Sequence, residues 1–176
     1  LAGKAHPQDE EGKHAAQGLF TFVRGPAAVG RVAFLDNYSL STALGMVAGC
    51  DVWINVPRPP LEASGTSGMK AALNGGLNLS VLDGWWAEAY DGTNGWAIPG
   101  DILFDHDMQD SRDAATLFDI VEHEVIPLFY QRDEHGIPRG WVERMRASLR
   151  TNGPRFSAAR MMRDYAADVY NLTPAR

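Results

Sequence analysis

Three short apolar runs constrain this chain more than any other feature. They are Arg31-Val32-Ala33-Phe34-Leu35, Asp51-Val52-Trp53-Ile54-Asn55-Val56 and Leu77 to Leu82. Each has the length and the β-branched or aromatic content of a buried strand. Helical segments alternate with them. The first is fed by a loop from Gly3 to Pro7, where Pro7 suits a first helical turn and Asp9, Glu10 and Glu11 complement the helix dipole. It should run through Phe20 and Phe22 and stop before Gly25-Pro26. Ser41 to Ala48 reads as a second helix ending at Gly49, and Met69 to Asn74 as a third ending at Gly75-Gly76. Pro57, Pro59 and Pro60 terminate the second strand, and Trp96-Ala97-Ile98 offers a fourth. Helix, strand, helix, strand, helix, strand implies right-handed crossovers in a mostly parallel sheet, an α/β class.

Beyond about residue 108 the pattern changes to helices alone. Ser111 to Glu124 reads as a helix, with Leu117, Val121, and then Val125 and Leu128 just beyond it, at helical spacing and Pro127 as a kink or break. Trp141 to Leu149 and Phe156 to Tyr170 read as two further helices, the latter with Asn152-Gly153-Pro154 as its start signal. The organisation is therefore an α/β part, residues 1–108, and a helical tail, residues 109–176.

Composition narrows the function. Lys and Arg total 16 against 22 Asp and Glu, a formal charge of −6, which disfavours nucleic acid or an anionic membrane as a partner. A single cysteine, Cys50, excludes a disulfide-built scaffold and fits a reducing, cytoplasmic setting. Its apolar neighbours make a structural buried thiol the default. No apolar run approaches the roughly 20 residues of a membrane span. The chain opens on Leu1-Ala2-Gly3-Lys4 rather than on Met, which reads as a piece of something longer.

One segment points to chemistry, Glu62-Ala63-Ser64-Gly65-Thr66-Ser67-Gly68-Met69-Lys70. Small, hydroxyl and glycine residues lie between a proline-rich loop and a helix. With Thr66 or Ser67 as N-cap, the free amides of the first turn form a site for an anion, most naturally a phosphate. Lys70 follows within one turn and can reach back toward it. The segment is not a P-loop, because Lys70 precedes Ala71 rather than Ser or Thr. On spacing alone, a Gly/Ser turn capping an ordinary helix with a solvated lysine explains it as well. Other clusters carry less. Asp105-His106-Asp107 lies in a polar loop with no third metal ligand in evidence, and Glu122-His123-Glu124 lacks the i, i+4 histidine pair of a zinc helix. Trp85, Trp86, Trp96 and Tyr90 read as packing around the third strand rather than as a sugar platform.

The same segment, continued by Ala71-Ala72-Leu73-Asn74-Gly75 and Leu82-Asp83-Gly84, resembles the pyridoxal-phosphate region of the α-glucan phosphorylases. Further resemblance lies in Ala2-Gly3-Lys4-Ala5, Phe34-Leu35-Asp36-Asn37-Tyr38, Asp51-Val52-Trp53-Ile54-Asn55, Pro57-Arg58 and Asn94-Gly95-Trp96-Ala97-Ile98. It continues through Val125-Ile126-Pro127-Leu128-Phe129-Tyr130 and Pro154-Arg155-Phe156-Ser157, so it covers nearly the whole chain. Ser67-Gly68 stands where the animal-type pattern has Gly-Asn, as in the shorter bacterial subgroup.

The resemblance implies a part of the C-terminal, Rossmann-like lobe of a two-lobed glycosyltransferase, with residues 1–108 bearing the cofactor and 109–176 as the tail. It implies retaining transfer of glucose from the non-reducing end of an α-1,4-glucan to inorganic phosphate, giving glucose 1-phosphate. Lys70 matches the lysine that forms the Schiff base with pyridoxal 5'-phosphate. Thr66 and Ser67 match the turn that holds its phosphate, and Tyr38 an aromatic residue near it. Glu62, Ser64 and Gly65 match positions that hydrogen-bond the transferred glucose, a role for which a carboxylate is suited. Substrate-phosphate ligands of the family lie upstream of Gly3-Lys4. Lys4 and Arg58 remain as nearby cations, so the chain alone is expected to be inactive. Two other readings stay open: a nucleotide-sugar-dependent glycosyltransferase of the same architecture, and a lobe without activity of its own. The apolar residues of Phe156 to Tyr170 are expected to dock on the same lobe or on a second copy of the chain, a homodimer.

Overall fold

The structure is a computed structural model that describes residues 1–3 and 5–170. Lys4 lies outside the described residues. In chain order the helices and strands are α1 (Glu10–Val23), α2 (Leu40–Gly49), β1 (Val52–Asn55), α3 (Thr66–Leu73), β2 (Leu77–Val81), α4 (Gly84–Ala89), β3 (Gly95–Ile98) and α5 (His106–Ile120). A π-helical turn, Val121–Val125, leads into α6 (Ile126–Tyr130), followed by α7 (Arg139–Arg155), α8 (Ala158–Asp164) and a second π-turn, Tyr165–Val169. The chain forms two compact units, Leu1–Met46 and Val47–Arg176.

In the first unit, Asp9 caps α1 by accepting the Gly12 amide at 2.8 Å, with Glu10 and Glu11 in the first turn. Pro7 sits in the turn before the helix rather than inside it. The segment Arg31–Leu35 is not a buried strand. It is an extended stretch with one parallel bridge, Ala2 to Leu35, and Ala33 and Leu35 are exposed. A run of this length becomes a strand only where a neighbour supplies a ladder. Here, among the described residues, the backbone of Leu35 meets the Leu1 carbonyl and the Gly3 amide, and the Ala33 carbonyl accepts from the Leu1 amine.

The second unit is built on a three-stranded parallel sheet in the order β1-β2-β3. The middle strand is buried at all five positions, as expected for a parallel strand covered on both faces. Leu77, Leu79, Val81, Trp96 and Ile98 join Ile120, Val125 and Trp141 in one core. A second cluster gathers Ala72, Trp85, Trp86 and Ala89, with Met69, Tyr90 and Phe156 against it. Trp85, Trp86 and Trp96 are thus packing residues. The Trp86 indole donates to the Trp96 carbonyl at 3.0 Å.

The tail departs from the simple helical pattern at Pro127. Proline has no N–H for the His123 carbonyl, and its ring crowds that carbonyl in an α-helix. The backbone answers with the wider π-turn immediately before it, Val121–Val125. Helix α7 runs straight through Asn152-Gly153-Pro154, so this tripeptide does not start the last helix. Asn152 is buried, tied to Ser148 Oγ at 3.2 Å and lying 3.5 Å from Asn94. The true start is Ser157, whose hydroxyl accepts the Arg160 amide at 3.2 Å. Of the last segment, Phe156 docks on Trp85. Met161, Met162, Tyr165, Val169 and Tyr170 are exposed, so that face does not dock on its own unit.

Candidate functional site

The loop between β1 and α3, together with the helix it opens into, carries most of the residues singled out by the sequence. The cis Pro59–Pro60 bond lies within it. It is fastened at its far end. The Glu62 amide donates to Asp83 Oδ2 at 2.9 Å, and the Trp85 amide donates to the Ser64 carbonyl at 2.8 Å. Asp83 stands just past the end of β2, and its Oδ1 accepts the Gly84 amide at 2.8 Å. The loop therefore lies over the carboxyl ends of β1 and β2, the edge at which open α/β sheets bind ligands. Glu62 is half-buried, and Asn55, the last residue of β1, brings its Nδ2 to 3.5 Å from Glu62 Oε2.

Gly65 makes the turn into α3. Its φ is +83°, and it, rather than Thr66 or Ser67, is the N-cap, with no side-chain cap bond. Thr66 and Ser67 are the first two helical residues instead. A Cβ on Gly65 would lie 3.2 Å from Trp85 Cδ1, so the position calls for glycine on both conformation and space. The helix buries Gly68, Ala71 and Ala72. Lys70 therefore falls on the exposed side, one turn after Thr66. Four residues of helix rise put its Cα about 6 Å along the axis from the Thr66 amide. The amides of Thr66 and Ser67 have no intrahelical partner, as at any helix start. A primary amine beside such amides is a donor set that fits a ligand bearing both a carbonyl and a phosphate group.

The structure thus brings Glu62, Ser64, Gly65, Thr66, Ser67 and Lys70 onto one continuous loop-and-helix segment. Tyr38 belongs to the first unit, half-buried just before α2. Arg58 makes a bidentate pair with Asp110, at 2.9 and 2.6 Å. That hydrogen bonding holds the Asp110 carboxyl below the usual carboxylate range. Asp105 caps α5 through the amides of Asp107 and Met108. Glu122, His123 and Glu124 are exposed on the π-turn. Cys50 is a half-buried free thiol whose pKa is raised chiefly by burial.

Sequence reasoning missed Asp83, Asn55 and Asn78 as parts of the site. Asp83 had a signal, since Asp before Gly after a strand marks a helix cap, and it does cap α4. Asn78 had none, because a polar residue in an apolar strand looks like an interruption. It is buried in β2, and its Nδ2 donates to the Gly68 carbonyl of α3 at 3.1 Å.

Comparison with known proteins gives the class. The profile of the carbohydrate phosphorylases matches residues 27–93. A glycogen phosphorylase of Mycobacterium tuberculosis (strain CDC 1551 / Oshkosh) is 52% identical over 171 residues, 97% of this chain and 20% of the relative. A glycogen phosphorylase of Aquifex aeolicus is 49% identical, again over 97% of the chain and 24% of the relative. A maltodextrin phosphorylase of Thermococcus litoralis is 45% identical over 172 residues, 97% of the chain and 20% of the relative. The chain belongs to the carbohydrate phosphorylase family. It spans about a fifth of the length of these relatives.

Proposed function

We propose that this chain is the cofactor-bearing portion of an α-glucan phosphorylase, from the C-terminal lobe of a two-lobed cytoplasmic enzyme. That enzyme would transfer glucose from the non-reducing end of an α-1,4-glucan to inorganic phosphate, with retention, releasing glucose 1-phosphate. One observation carries the reading. A loop pinned over the carboxyl edge of a parallel sheet presents Glu62 and leads, without interruption, into the helix that exposes Lys70. The family membership supports it.

In this reading Lys70 anchors pyridoxal 5'-phosphate through its amine, and the Thr66 and Ser67 amides receive the cofactor's phosphate. When bound, the cofactor supplies a phosphate as electrostatic and acid–base partner to the substrate phosphate. Glu62 accepts hydroxyls of the transferred glucose, with Ser64 and Gly65 completing the contact. Residues 1–108 would bear the cofactor, with 109–176 as a helical tail.

The chain alone is expected not to turn over. Two phosphate groups brought together repel unless cations lie between them, and Arg58 is engaged by Asp110. Loss of one oriented electrostatic partner costs about 10²–10³ in rate. The deciding experiment adds pyridoxal phosphate to the chain, reduces with borohydride and locates the adduct by mass spectrometry. Covalent label on Lys70 supports the reading, and label scattered over other lysines with Lys70 unmodified refutes it.

A further inference from the structure

Asp83 stands where two loops and a helix start meet. Its two carboxylate oxygens accept one amide each, Oδ2 from Glu62 in the loop after β1 and Oδ1 from Gly84 at the start of α4. Two residues on, the Trp85 amide closes a third bond to Ser64. Gly84 has φ +52°, and a Cβ there would sit 2.7 Å from the Ser64 carbonyl oxygen and 2.9 Å from Glu62 Cγ. The two loops are zipped too tightly for any side chain at Gly84. Asp83, Glu62 and Asn55 are all half-buried, so water competes only in part for these bonds.

We infer that Asp83 and Asn55 are the positioning residues of Glu62. Asp83 fixes the main chain of the Glu62–Gly65 loop, and the Asn55 amide turns the Glu62 carboxylate toward the sugar. The inference rests on the proposed reading of Glu62 as acceptor of sugar hydroxyls. Only a carboxylate suits position 83. Two converging N–H donors need two acceptor oxygens, and an asparagine would aim its own NH₂ at one of them. At position 55 the requirement is reversed: an amide can donate to Glu62, whereas a second carboxylate would repel it.

The test uses Glu62→Gln, Asp83→Asn, their combination and Asn55→Ala. Hydrogen exchange on the chain itself reads the zip without any activity. Asp83→Asn should speed exchange of the Glu62 or the Gly84 amide about 10-fold or more, leaving the α3 amides unchanged. In the full-length enzyme, Asp83→Asn should lower kcat/KM for maltodextrin about 10- to 100-fold, the scale of one charge-assisted hydrogen bond. Borohydride labelling of Lys70 should be unaltered. Combined with Glu62→Gln it should add less than about threefold, since both act at one carboxylate. Asn55→Ala should raise KM about 3- to 10-fold and leave the exchange pattern intact, which keeps the idea testable if Asp83→Asn fails to fold. Full multiplication of the Asp83 and Glu62 effects, or wild-type kinetics for Asp83→Asn or Asn55→Ala, overturns the inference. Wild-type kinetics for Glu62→Gln would instead overturn the reading of Glu62 itself.

Discussion

The side-chain amide of Asn78, in the middle strand, donates to the carbonyl of Gly68, in the first turn of the helix that carries Lys70, at 3.1 Å. The contact brings the helix down onto the sheet so closely that position 68 has no room for a side chain. A Cβ there would lie 2.5 Å from Asn78 Oδ1 and 2.9 Å from Trp85 Nε1.

Gly68→Ala should therefore destabilise the unit although alanine is the better helix former. Overpacking costs about 1–3 kcal/mol and the gain in helix propensity returns about 1. A net loss centred on about 1 kcal/mol, and at most about 2, is expected from a denaturant titration. An alanine variant as stable as the wild type would show that Asn78 and Trp85 can move aside.

Lys70→Ala should behave in the opposite way. Lys70 is exposed on α3, and no ion pair involving it is found among the described residues. Thermal unfolding should stay within about 0.5 kcal/mol of wild type, the range of ordinary surface substitutions. The borohydride-fixed cofactor label should vanish. A large loss of stability would mean that the side chain packs rather than waits for a ligand.

Phe156→Ala should loosen the end of α7. Its ring meets Trp85 edge-on at 5.2 Å between centroids, with the planes 82° apart. Truncating a half-buried aromatic in such a pair should cost about 2 kcal/mol. Trp85 should become more accessible to a fluorescence quencher. Unchanged quenching would place the docking elsewhere.

The turn before α7 should respond to acid. Asp133 accepts the amides of His135 and Ile137 and the Arg139 side chain, and these bonds hold its carboxyl below the ordinary range, the Ile137 amide foremost. A depressed carboxyl stabilises the fold above its unfolded pKa of about 4. That contribution is lost as pH falls through the lower, folded value. Exchange of the Ile137 amide, corrected for intrinsic rates, should rise only below about pH 4, and a rise already present between pH 5 and 7 would contradict the assignment.

What the sequence made legible follows a physical line. β1, β2 and β3 were visible because an apolar run between breakers has few alternatives. Arg31–Leu35 looked the same but lacks a ladder, since strand identity depends on a neighbour and not on the run alone. Helix α3 was expected to begin at Met69, because Thr66-Ser67-Gly68 have weak helix propensity. It begins at Thr66, where Gly65 in a left-handed conformation turns the chain and Asn78 draws the first turn down. Helix α4 went unseen, its Gly84-Trp85-Trp86 start resembling a turn. Asn152-Gly153-Pro154 read as the start signal of the last helix and instead lies in the final turn of α7, beside the buried amides of Asn94 and Asn152. In the candidate site, type and order pointed to the start of α3 and Lys70, and the family resemblance added Glu62, Ser64 and Gly65. Their supports, Asp83, Asn55 and Asn78, act through space and left little trace in spacing.

The parallel pairing of the strands sets how this unit can assemble in time. Leu77 pairs with Val52, 25 positions earlier, and Gly95 with Asn78, 17 positions earlier. Neither pair can be nucleated by a tight turn, so both must wait for loop closure over distant chain, a slow step compared with helix growth. The middle strand has no favourable half-built state, because its faces and both its edges need partners that arrive from opposite directions along the chain. On a ribosome, β1 and β2 emerge before β3 and the core-forming helices behind it. Until those follow, the strand that ends up most deeply buried in the unit stands open, which makes this the interval in which a chaperone has most to cover.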